Sequence, residues 1–431
     1  MKKINIGLIG FGTIGSGVVR ILTERRAALK ALAGVDINLK YICDKDLSSG
    51  KSVKVNKKLL TRDVKKVVGD AQVDIVVELI GGIHPAKEII LSAIKNGKDI
   101  VTANKALLAE DGVVIFETAR RFGREVMFEA SVGGGIPIIK ALREGFVSNK
   151  IGAIYGIING TCNYILSRMS DEGCDFKVAL KAAQKMGIAE ANPTLDVSGL
   201  DSAHKLIILA GLSFGGFVKM NQVYCEGILS LEARDIRYAN EMGYAVKLLA
   251  ITKRSGGKIE LRVHPTLVPD CHLLANVKDV YNAIYVKGDL TGETLFYGKG
   301  AGKLPTASAV ISDIVDLARL KNGLREDKRM LFPVMHKAAK IKKMDDVESR
   351  YYIRFSVEDT PGVLARIAGI LGKNNISIAS VSQKEERAAN SVPVVIVTHE
   401  AAEAKLRNAL RYIDKLPVTK KKSVAIRMES L

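Results

Sequence analysis

The sequence GLIGFGTIGSGVVRIL, from Gly7 to Leu22, decides how the chain begins to fold. Gly10, Gly12 and Gly15 form the pattern G-x-G-x-x-G between an apolar, strand-like run and a helical pattern. In a dinucleotide-binding unit the first glycine permits a tight turn, the second lets the backbone approach a pyrophosphate, and the third allows close packing of helix on strand. The N–H groups at the start of the helix then face the anion. These flanks favour a dinucleotide site over a glycine turn with only a structural role.

The first third of the chain continues this alternation of strand and helix. The runs INLKYICD, VDIVVELIG and DIVTAN are apolar and β-rich, and helical patterns such as PAKEIILSAIKNG lie between them. Continuous apolar strands joined by helices are typical of a parallel sheet that is buried on both faces. The fold class is therefore α/β, and it begins with a Rossmann-type dinucleotide-binding domain over residues 1–130.

Asp44 ends the second predicted strand, where a ribose hydroxyl would be held. The interval from Gly15 to Asp44 exceeds the usual spacing of about 20 residues, so we expect an extended helix between them. A carboxylate there repels a 2′-phosphate and favours NAD, although Lys45 and Lys51 could accept such a phosphate. The cofactor is therefore NAD or NADP, with a preference for NAD.

Composition excludes several classes of protein. The chain has 431 residues, of which 47% are hydrophobic and 26% charged, as in a globular protein of more than one domain. Its net charge of +19 is scattered, and aromatic residues make up only 5%, so we expect no nucleic-acid partner. The uncharged apolar run from Leu206 to Val218 has 13 residues and predicts a buried helix, because a membrane span needs about 18.

The cysteines indicate a reducing compartment. Their odd number, their wide spacing and the lack of any C-x-x-C pair argue against disulfides and against a zinc site. We therefore expect reduced thiols and a cytoplasmic protein. The five are Cys43, Cys162, Cys174, Cys225 and Cys271.

Three further segments follow the first domain. Glycine-rich stretches and longer helices over residues 131–320 predict an α+β catalytic and dimerisation domain. Residues 321–350 are dense in charge and predict a helical linker. Residues 351–431 show the order strand, helix, strand, strand, helix, strand, which is ferredoxin-like.

The densest polar cluster is GIAEANPTLDVSGLDSAHKLIILAG, which contains Glu190, Asp196, Asp201 and Lys205. Residues 201 and 205 share one face of a helix, and an exposed ion pair is the ordinary explanation of such a spacing. A lysine that opens a buried helix must, however, be paired or functional. His204 points in another direction on the helix, and we interpret it as a packing residue.

A second lysine, Lys105, follows the strand DIVTAN. Ligands of parallel sheets bind outside the carboxyl ends of the strands, so Lys105 could face the nicotinamide. Taken alone, it could equally be a surface lysine.

Six segments together resemble the homoserine dehydrogenase family in their order and spacing: GFGTIG, VTANKALLA, FEASVGGGIPII, GIINGTCNYIL, GIAEANPTLDVSGLDSAHKLIILA and GAGKLPTASAVISDI. They span most of residues 1–320. The tail, with VEDTPGVLARIAGILGKNNISIASVSQ, resembles an ACT domain, the amino-acid-sensing module of many members. The resemblance implies NAD(P)-dependent interconversion of L-aspartate 4-semialdehyde and L-homoserine in threonine and methionine biosynthesis.

The resemblance also implies residue roles. Lys205 would exchange a proton with the substrate oxygen, and Lys105 would lie beside nicotinamide and substrate. Substrate binding would fall to Glu190, with Asp196 and Asp201 supporting it or orienting the lysine. Gly160 and Thr161 would line the cleft, although each could equally be a turn residue. Cofactor binding would involve Gly10, Phe11, Gly12, Thr13, Ile14, Gly15, Asp44, Lys105 and Gly302. Cys43 stands where many relatives carry an arginine, which strengthens the expectation of NAD.

A monovalent cation, usually sodium, accompanies this family and is held largely by backbone oxygens. By position its ligands would be Glu129, Val132, Gly134 and Ile136. The alternative is a glycine loop that only turns closely between domains.

The ACT resemblance implies an effector, and threonine is the expected one. The segments Asp359 to Gly362 and Asn374 to Ile376, the latter including Asn375, would line an interface between two copies. The alternative is a module that only joins subunits, and either predicts a homo-oligomer, a dimer or a tetramer.

Three other functions stay open from the residues alone. The chain could be a Rossmann oxidoreductase that acts on a different semialdehyde, a non-catalytic amino-acid sensor on a nucleotide-binding fold, or, least supported, a nucleic-acid binder.

Overall fold

A computed structural model describes residues 2–47, 53–216, 218–323, 340–383 and 391–431. The chain forms two compact units. The first comprises Met1–Gly160, Asp201–Val223 and Val280–Ala339, and the second comprises Thr161–Leu200, Tyr224–Asp279 and Lys340–Leu431.

The elements follow one another along the chain. The strands are β1 (Lys3–Ile9), β2 (Asp36–Cys43), β3 (Leu60–Thr61), β4 (Ile75–Glu78), β5 (Asp99–Thr102), β6 (Val126–Met127), β7 (Ile151–Ile157), β8 (Tyr224–Cys225), β9 (Tyr244–Ser255), β10 (Lys258–Pro269), β11 (Tyr281–Gly288), β12 (Gly292–Lys299), β13 (Glu348–Val357), β14 (Ile378–Gln383), β15 (Val392–Thr398), β16 (Ala401–Ala402) and β17 (Thr419–Met428). The helices are α1 (Thr13–Glu24), α2 (Arg26–Ala33), α3 (Val64–Gly69), α4 (Ala86–Lys95), α5 (Lys105–Phe122), α6 (Ile138–Lys140), α7 (Gly160–Glu172), α8 (Phe176–Lys185), α9 (Thr194–Val197), α10 (Leu200–Phe214), α11 (Ala233–Glu241), α12 (Lys303–Lys321), α13 (Val363–Lys373) and α14 (Glu403–Ile413).

The first unit contains the predicted parallel sheet. Its strand order is β3-β2-β1-β4-β5-β6, the Rossmann order, and every pair is parallel. Ile4, Ile6 and Leu8 of β1 are fully buried, because helices cover both faces of a parallel sheet. Helix α12 packs on α1 at Gly17, where a Cβ atom would lie only 3.0 Å from the Ala307 Cβ. The Rossmann-type fold is confirmed.

The prediction of one extended helix between Gly15 and Asp44 is wrong. Two helices, α1 and α2, fill the interval instead, and they meet at Arg25, whose φ of −110° and ψ of 18° are not helical. Helix α2 ends at Gly34 in the left-handed region, with φ of +67°, which lets the chain turn sharply into β2.

An antiparallel sheet of β12, β11 and β7 completes the part of the first unit that bears on the site. Strand β7 ends at Ile157, and the chain passes through Ile158 and Asn159 into α7. A Cβ atom at Gly160 would lie 2.8 Å from the Val280 carbonyl oxygen, so only glycine lets the backbone pass there. This close approach fixes the position of Ile158 and Asn159.

The second unit holds the predicted ferredoxin-like module. Strands β13, β14, β15 and β17 form the antiparallel order β17-β13-β15-β14, and α13 and α14 pack over a core that includes Ile353, Ile367 and Leu406. Strand β17 also pairs in parallel with β10, through Thr266 with Arg427 and Leu267 with Met428. The C-terminal strand of the module is therefore also part of the sheet that contains β9 and β10.

The predicted helical linker is only partly described. Helix α12 ends at Lys321, and residues 324–339 lie outside the described residues. From residue 340 onward the prediction is wrong: Ile341 forms an isolated bridge with Ile259, and β13 begins at Glu348. The density of charged residues alone did not distinguish a helix from a segment that pairs with β-strands.

The apolar run after Lys205 forms the buried helix that the sequence predicts. Helix α10 ends at Phe214, and its residues from 206 to 211 are buried, while Phe217 lies outside the described residues. Within the described ranges, no helix has the length and apolarity to span a membrane. The five cysteines, all in the described part, form no disulfide.

A buried ion pair joins α11 to β13 in the second unit. The Arg354 guanidinium donates hydrogen bonds of 2.6 and 2.9 Å to the two carboxylate oxygens of Asp235, and the Tyr352 hydroxyl donates to the same carboxylate. All three residues are buried. Two parallel hydrogen bonds from a planar guanidinium match a carboxylate well. Burial, however, removes both charged groups from water, which costs free energy.

Asp235→Ala is expected to lower the free energy of unfolding by about 3 kcal/mol, because the buried Arg354 then loses both hydrogen bonds to Asp235 and retains the more exposed carboxylate of Glu232, at 3.1 Å. Urea unfolding followed by circular dichroism measures the loss. The double variant Asp235→Leu with Arg354→Met should recover most of it. As a control, Glu172→Ala breaks the more exposed pair with Arg168 and should cost far less. An Asp235→Ala loss no larger than the control's contradicts the assignment.

Candidate active site

The glycine loop has the geometry of a pyrophosphate cradle. Gly10 has a φ of +106°, and a Cβ there would lie 2.6 Å from the Leu79 carbonyl group. A Cβ at Gly15 would lie 2.0 Å from the Gly10 oxygen, so helix and strand touch at this point. Gly12, just before α1 begins at Thr13, faces open space within 4 Å. The backbone is thus closely packed at Gly10 and Gly15 and open at Gly12, as a site for a dinucleotide pyrophosphate requires.

Asp44 lies beside this loop. Its Oδ2 accepts a 2.5 Å hydrogen bond from the Phe11 N–H, and its Oδ1 accepts one of 3.0 Å from Asp46. Cys43 is buried, and burial raises the pKa of its thiol to about 11. The side chain before Asp44 is therefore an uncharged thiol at neutral pH. Lys45 is exposed, and Lys51 lies outside the described residues.

Lys105 begins α5 at the carboxyl end of β5. The Asn104 side chain caps this helix by accepting from the Leu107 N–H, and it donates to the Gly82 carbonyl at 2.6 Å. Buried Glu78 accepts from the Thr102 hydroxyl at 2.7 Å. These contacts tie the loop after β4 to the loop that presents Lys105.

Asp201 binds both candidate lysines. Its Oδ1 lies 2.7 Å from the Lys105 Nζ, and its Oδ2 lies 2.7 Å from the Lys205 Nζ. Lys205 also donates to the Ile158 carbonyl at 2.6 Å, and the Asn159 amide donates to Asp201 Oδ2 at 2.8 Å. Asp201 and Lys205 are buried, whereas the Lys105 side chain is 40% exposed. The ordinary explanation, an exposed ion pair, therefore does not apply.

The charges of this cluster support one another. Burial raises the pKa of Asp201, but the ammonium groups of Lys205 and Lys105 outweigh it and hold that pKa below its usual range. The carboxylate is therefore ionised at neutral pH. Burial lowers the pKa of the neighbouring His204, so its imidazole is neutral there.

The predicted cation ligands lie in a buried loop. Both Glu129 side-chain oxygens accept backbone N–H bonds, from Ile139 and Lys140 at 2.9 Å, and the Glu129 N–H donates to buried Asp313. Gly134 has a φ of +54°, and a Cβ there would lie 2.4 Å from the Gly300 oxygen.

Val132 and Ile136 of the same loop are buried, and the Ile136 carbonyl accepts from Ile138 at 2.8 Å. The close approach of the loop to Gly300 therefore requires a glycine at position 134. Among the described residues, no group of three or more His, Cys, Asp or Glu side chains forms a metal site.

The remaining substrate and cofactor candidates differ in exposure and contacts. Glu190 is exposed, Asp196 is half-buried in α9, and the Thr161 hydroxyl donates to the Ile188 carbonyl at 3.1 Å. Gly160 has the close approach described above. Gly302 precedes α12 with a φ of +122°, a conformation that favours glycine.

The two predicted effector segments lie at opposite ends of α13. Gly362 precedes this helix with a φ of +89°, while Asn375 follows it with a φ of +55° beside buried Ile376. Asp359 accepts from Gln383 at 3.4 Å, and Asn374 accepts from Asn408 at 2.7 Å. An 11-residue helix is about 16 Å long, so one module does not bring the two segments together.

Sequence reasoning missed Asn159 and Glu78. A signal existed for each: Asn159 precedes the singled-out glycine–threonine pair at the end of a strand, and Glu78 is an acid at the end of an apolar strand. The contribution of the Ile158 carbonyl had no signal, because every residue carries one.

Comparisons with known proteins identify the family. Residues 10–129 match the family model for the NAD-binding domain of homoserine dehydrogenase, residues 137–315 match the homoserine dehydrogenase model, and residues 351–415 match the ACT domain. A homoserine dehydrogenase from Neisseria gonorrhoeae is 46% identical over 100% of both chains.

Solved structures are similar as well. The crystal structure of a homoserine dehydrogenase from Thiobacillus denitrificans has a TM-score of 0.94 and 44% identity, covering 100% of this chain and 99% of that one. A hyperthermophilic archaeal homoserine dehydrogenase mutant in complex with NADPH has a TM-score of 0.63 and 27% identity, covering 74% of this chain and 98% of that one.

Asp313 makes stability depend on pH. Burial, and next the charge of Glu129, raise the pKa of Asp313 to about 8, far above the value of about 3.9 in an unfolded chain. The protonated form therefore stabilises the fold fully below about pH 4, and this contribution is lost as pH rises through about 8.

Asp313→Asn should remove this dependence, since an amide does not titrate there. The difference in free energy of unfolding between wild type and variant, measured by urea unfolding, should move against the wild type between about pH 4 and about pH 8. As a control, Asn276→Ala changes an exposed side chain that does not titrate and should leave that difference flat. A flat difference for Asp313→Asn contradicts the prediction.

Proposed function

This chain belongs to the homoserine dehydrogenase family of NAD(P)-dependent oxidoreductases, and we propose that Lys205, supported by Asp201 and Lys105, exchanges the proton that accompanies hydride transfer when L-aspartate 4-semialdehyde and L-homoserine are interconverted. The observation that carries the proposal is the buried Asp201 carboxylate with one lysine ammonium on each oxygen, at 2.7 Å. A semialdehyde oxygen that gains negative charge needs a nearby cation and then a proton, and a lysine ammonium supplies both.

The cofactor would be held by the glycine loop and Asp44, and when bound it supplies or accepts the hydride. During reduction, Lys205 donates a proton from Nζ to the substrate oxygen, and during oxidation it accepts one. The Asp201 carboxylate accepts a hydrogen bond from the Lys205 ammonium and stabilises that positive charge before the transfer. Lys105, held on the other oxygen, adds a second positive charge where the substrate oxygen becomes negative.

The substrate's α-ammonium group would bind the carboxylates of Glu190 and Asp196, with Gly160 and Thr161 lining the site. Charge-assisted hydrogen bonds hold such a group best. The exposed carboxylate of Glu190 supports this role.

For the cofactor, we infer a preference for NAD over NADP. The Asp44 carboxylate repels a 2′-phosphate, and the uncharged Cys43 thiol offers it no cation. The open space at Gly12 accommodates the pyrophosphate of either cofactor.

A sodium ion is part of the proposal, with Glu129, Val132, Gly134 and Ile136 as ligands through backbone oxygens. The close approach at Gly134 supports a loop whose backbone is fixed for such a role.

Regulation by threonine through the ACT module, and assembly as a dimer or tetramer, belong together in this proposal. The two effector segments lie at opposite ends of α13, so a site that uses both needs a second copy of the module.

The division into residues 1–130, 131–320, 321–350 and 351–431 is likewise proposed, and the matched ranges 10–129, 137–315 and 351–415 support it. The absence of a disulfide among the described cysteines is compatible with a cytoplasmic location.

Lys205→Ala should lower kcat for NADH- or NADPH-dependent reduction of aspartate semialdehyde by about 10²–10⁴-fold, because the proton donor is gone. Binding of NADPH, followed by its fluorescence, should change less than about 3-fold. The control Lys87→Ala breaks the Lys87–Asp111 pair of the same unit and should keep near wild-type kcat. A Lys205→Ala variant that retains wild-type kcat contradicts the mechanism, and an inactive wild type contradicts the function.

Threonine should lower the steady-state rate of the wild type and shift its sedimentation velocity or its thermal midpoint. Asp359→Ala should weaken the response without changing the rate in the absence of threonine, since Asp359 lies in the ACT module. A response that is equal in wild type and variant, or absent from both, contradicts threonine binding at this site.

A further inference from the structure

Asn159 donates a hydrogen bond to Asp201, and the proposed mechanism gives this bond no role. Its Nδ2 lies 2.8 Å from Asp201 Oδ2, the oxygen that also binds Lys205 at 2.7 Å. An ionised carboxylate only accepts hydrogen bonds, so the amide must turn its NH2 group toward Asp201. Asn159 is buried, which makes this contact expensive to lose.

We propose that Asn159 is a positioning residue for proton transfer: it fixes the rotation of the Asp201 carboxylate so that each oxygen stays on its own lysine. This inference rests on the proposed function of Asp201 and Lys205. It concerns the already assigned reaction but adds a residue that neither the motifs nor the family resemblance singled out.

Carboxylate rotation needs such a restraint. The last side-chain torsion of an aspartate is broad, so the carboxylate plane is not fixed by the chain itself. The two lysines come from different helices, Lys105 from α5 and Lys205 from α10. With the lysine ammoniums alone, a turn of the carboxylate would move both amines together. A third donor at Oδ2 resists that turn.

The backbone around Asn159 is suited to this task. The preceding residue, Ile158, accepts from the Lys205 Nζ at 2.6 Å, so two consecutive residues hold both members of the Asp201–Lys205 pair. The following residue, Gly160, passes so near the Val280 oxygen that a Cβ would lie 2.8 Å from it. The segment therefore cannot shift without breaking several contacts.

The neutral charge of Asn159 also matters. Asp201 carries one negative charge against two lysine ammoniums. A cationic side chain at position 159 would compete with the lysines for the carboxylate, and a carboxylate there would repel Asp201. An amide donates a hydrogen bond and leaves the charge balance unchanged.

The test uses Asn159→Asp, which has nearly the same shape. When the introduced carboxyl is ionised, it stands beside Asp201 with no hydrogen to donate. When it is protonated, its O–H restores a donor to Asp201 Oδ2. We expect kcat of the full-length variant, relative to wild type, to fall about 10–100-fold near pH 9 and to recover by at least about 5-fold as pH falls toward 6.

The other titratable groups near Asp201 are Lys105 from α5 and His204 and Lys205 from α10, with Glu110 acting on His204. Each is present in wild type and variant, so their ordinary titration is shared and the ratio of the two kcat values reports chiefly on position 159. KM for NADPH should stay within about 2-fold, because Asn159 does not belong to the glycine loop.

Two further variants separate positioning from folding. Asn159→Ala should lower kcat about 10–100-fold at every pH, with no recovery in acid, and Asn159→Ser, which keeps a hydroxyl donor, should retain more activity than the alanine variant. The matched control Asn163→Asp changes a buried asparagine that donates to the Val277 and Asp279 carbonyls, and its kcat ratio should not recover in acid.

Circular dichroism and NADPH fluorescence establish that each variant is folded. The inference is overturned if folded Asn159→Ala keeps wild-type kcat, or if the Asn159→Asp ratio is as flat with pH as that of the control. If Asn159→Asp does not fold, Asn159→Ser decides: activity no higher than that of the alanine variant overturns the inference. An inactive Lys205→Ala beside these results keeps the proposed function intact, so the two failures are distinguishable.

Discussion

A carboxylate placed between two ammonium groups attracts both, and in this protein the attraction sets the geometry of the candidate active site. Asp201 has little exposure to water, so neither solvent nor salt weakens its interactions as they would at the surface. Burial by itself would favour the neutral acid, and the two lysines reverse that preference. Removing either lysine would therefore raise the pKa of the aspartate.

The scaffold brings these groups together from three directions. The Rossmann sheet presents Lys105 at the carboxyl end of β5, where the Glu78, Thr102 and Asn104 contacts hold its helix. The buried helix α10 carries Asp201 and Lys205 one turn apart. The end of β7 supplies a carbonyl and an amide from consecutive residues. Chain segments distant in sequence thus complete one cluster.

Much of this could be predicted from the sequence because it follows from local patterns. The glycine pattern, each apolar strand and the interval from Asp201 to Lys205 all lie within about eight residues of sequence. The break at Arg25 and the segment from residue 340 could not be predicted, because they depend on which surfaces the chain meets. The same holds for Asn159, whose importance comes from a partner 42 residues away.

The sequence by itself determined the fold class, the glycine cradle, the family and the pair of lysines, since these depend on residue type and short-range spacing. Only the tertiary structure decided that a single carboxylate binds both lysines, that Asn159 and the Ile158 carbonyl complete their environment, and that the predicted effector segments lie apart on one module. The reason is physical: the strength of a charge interaction and the direction of a hydrogen bond depend on burial and orientation, which arise only when distant segments pack.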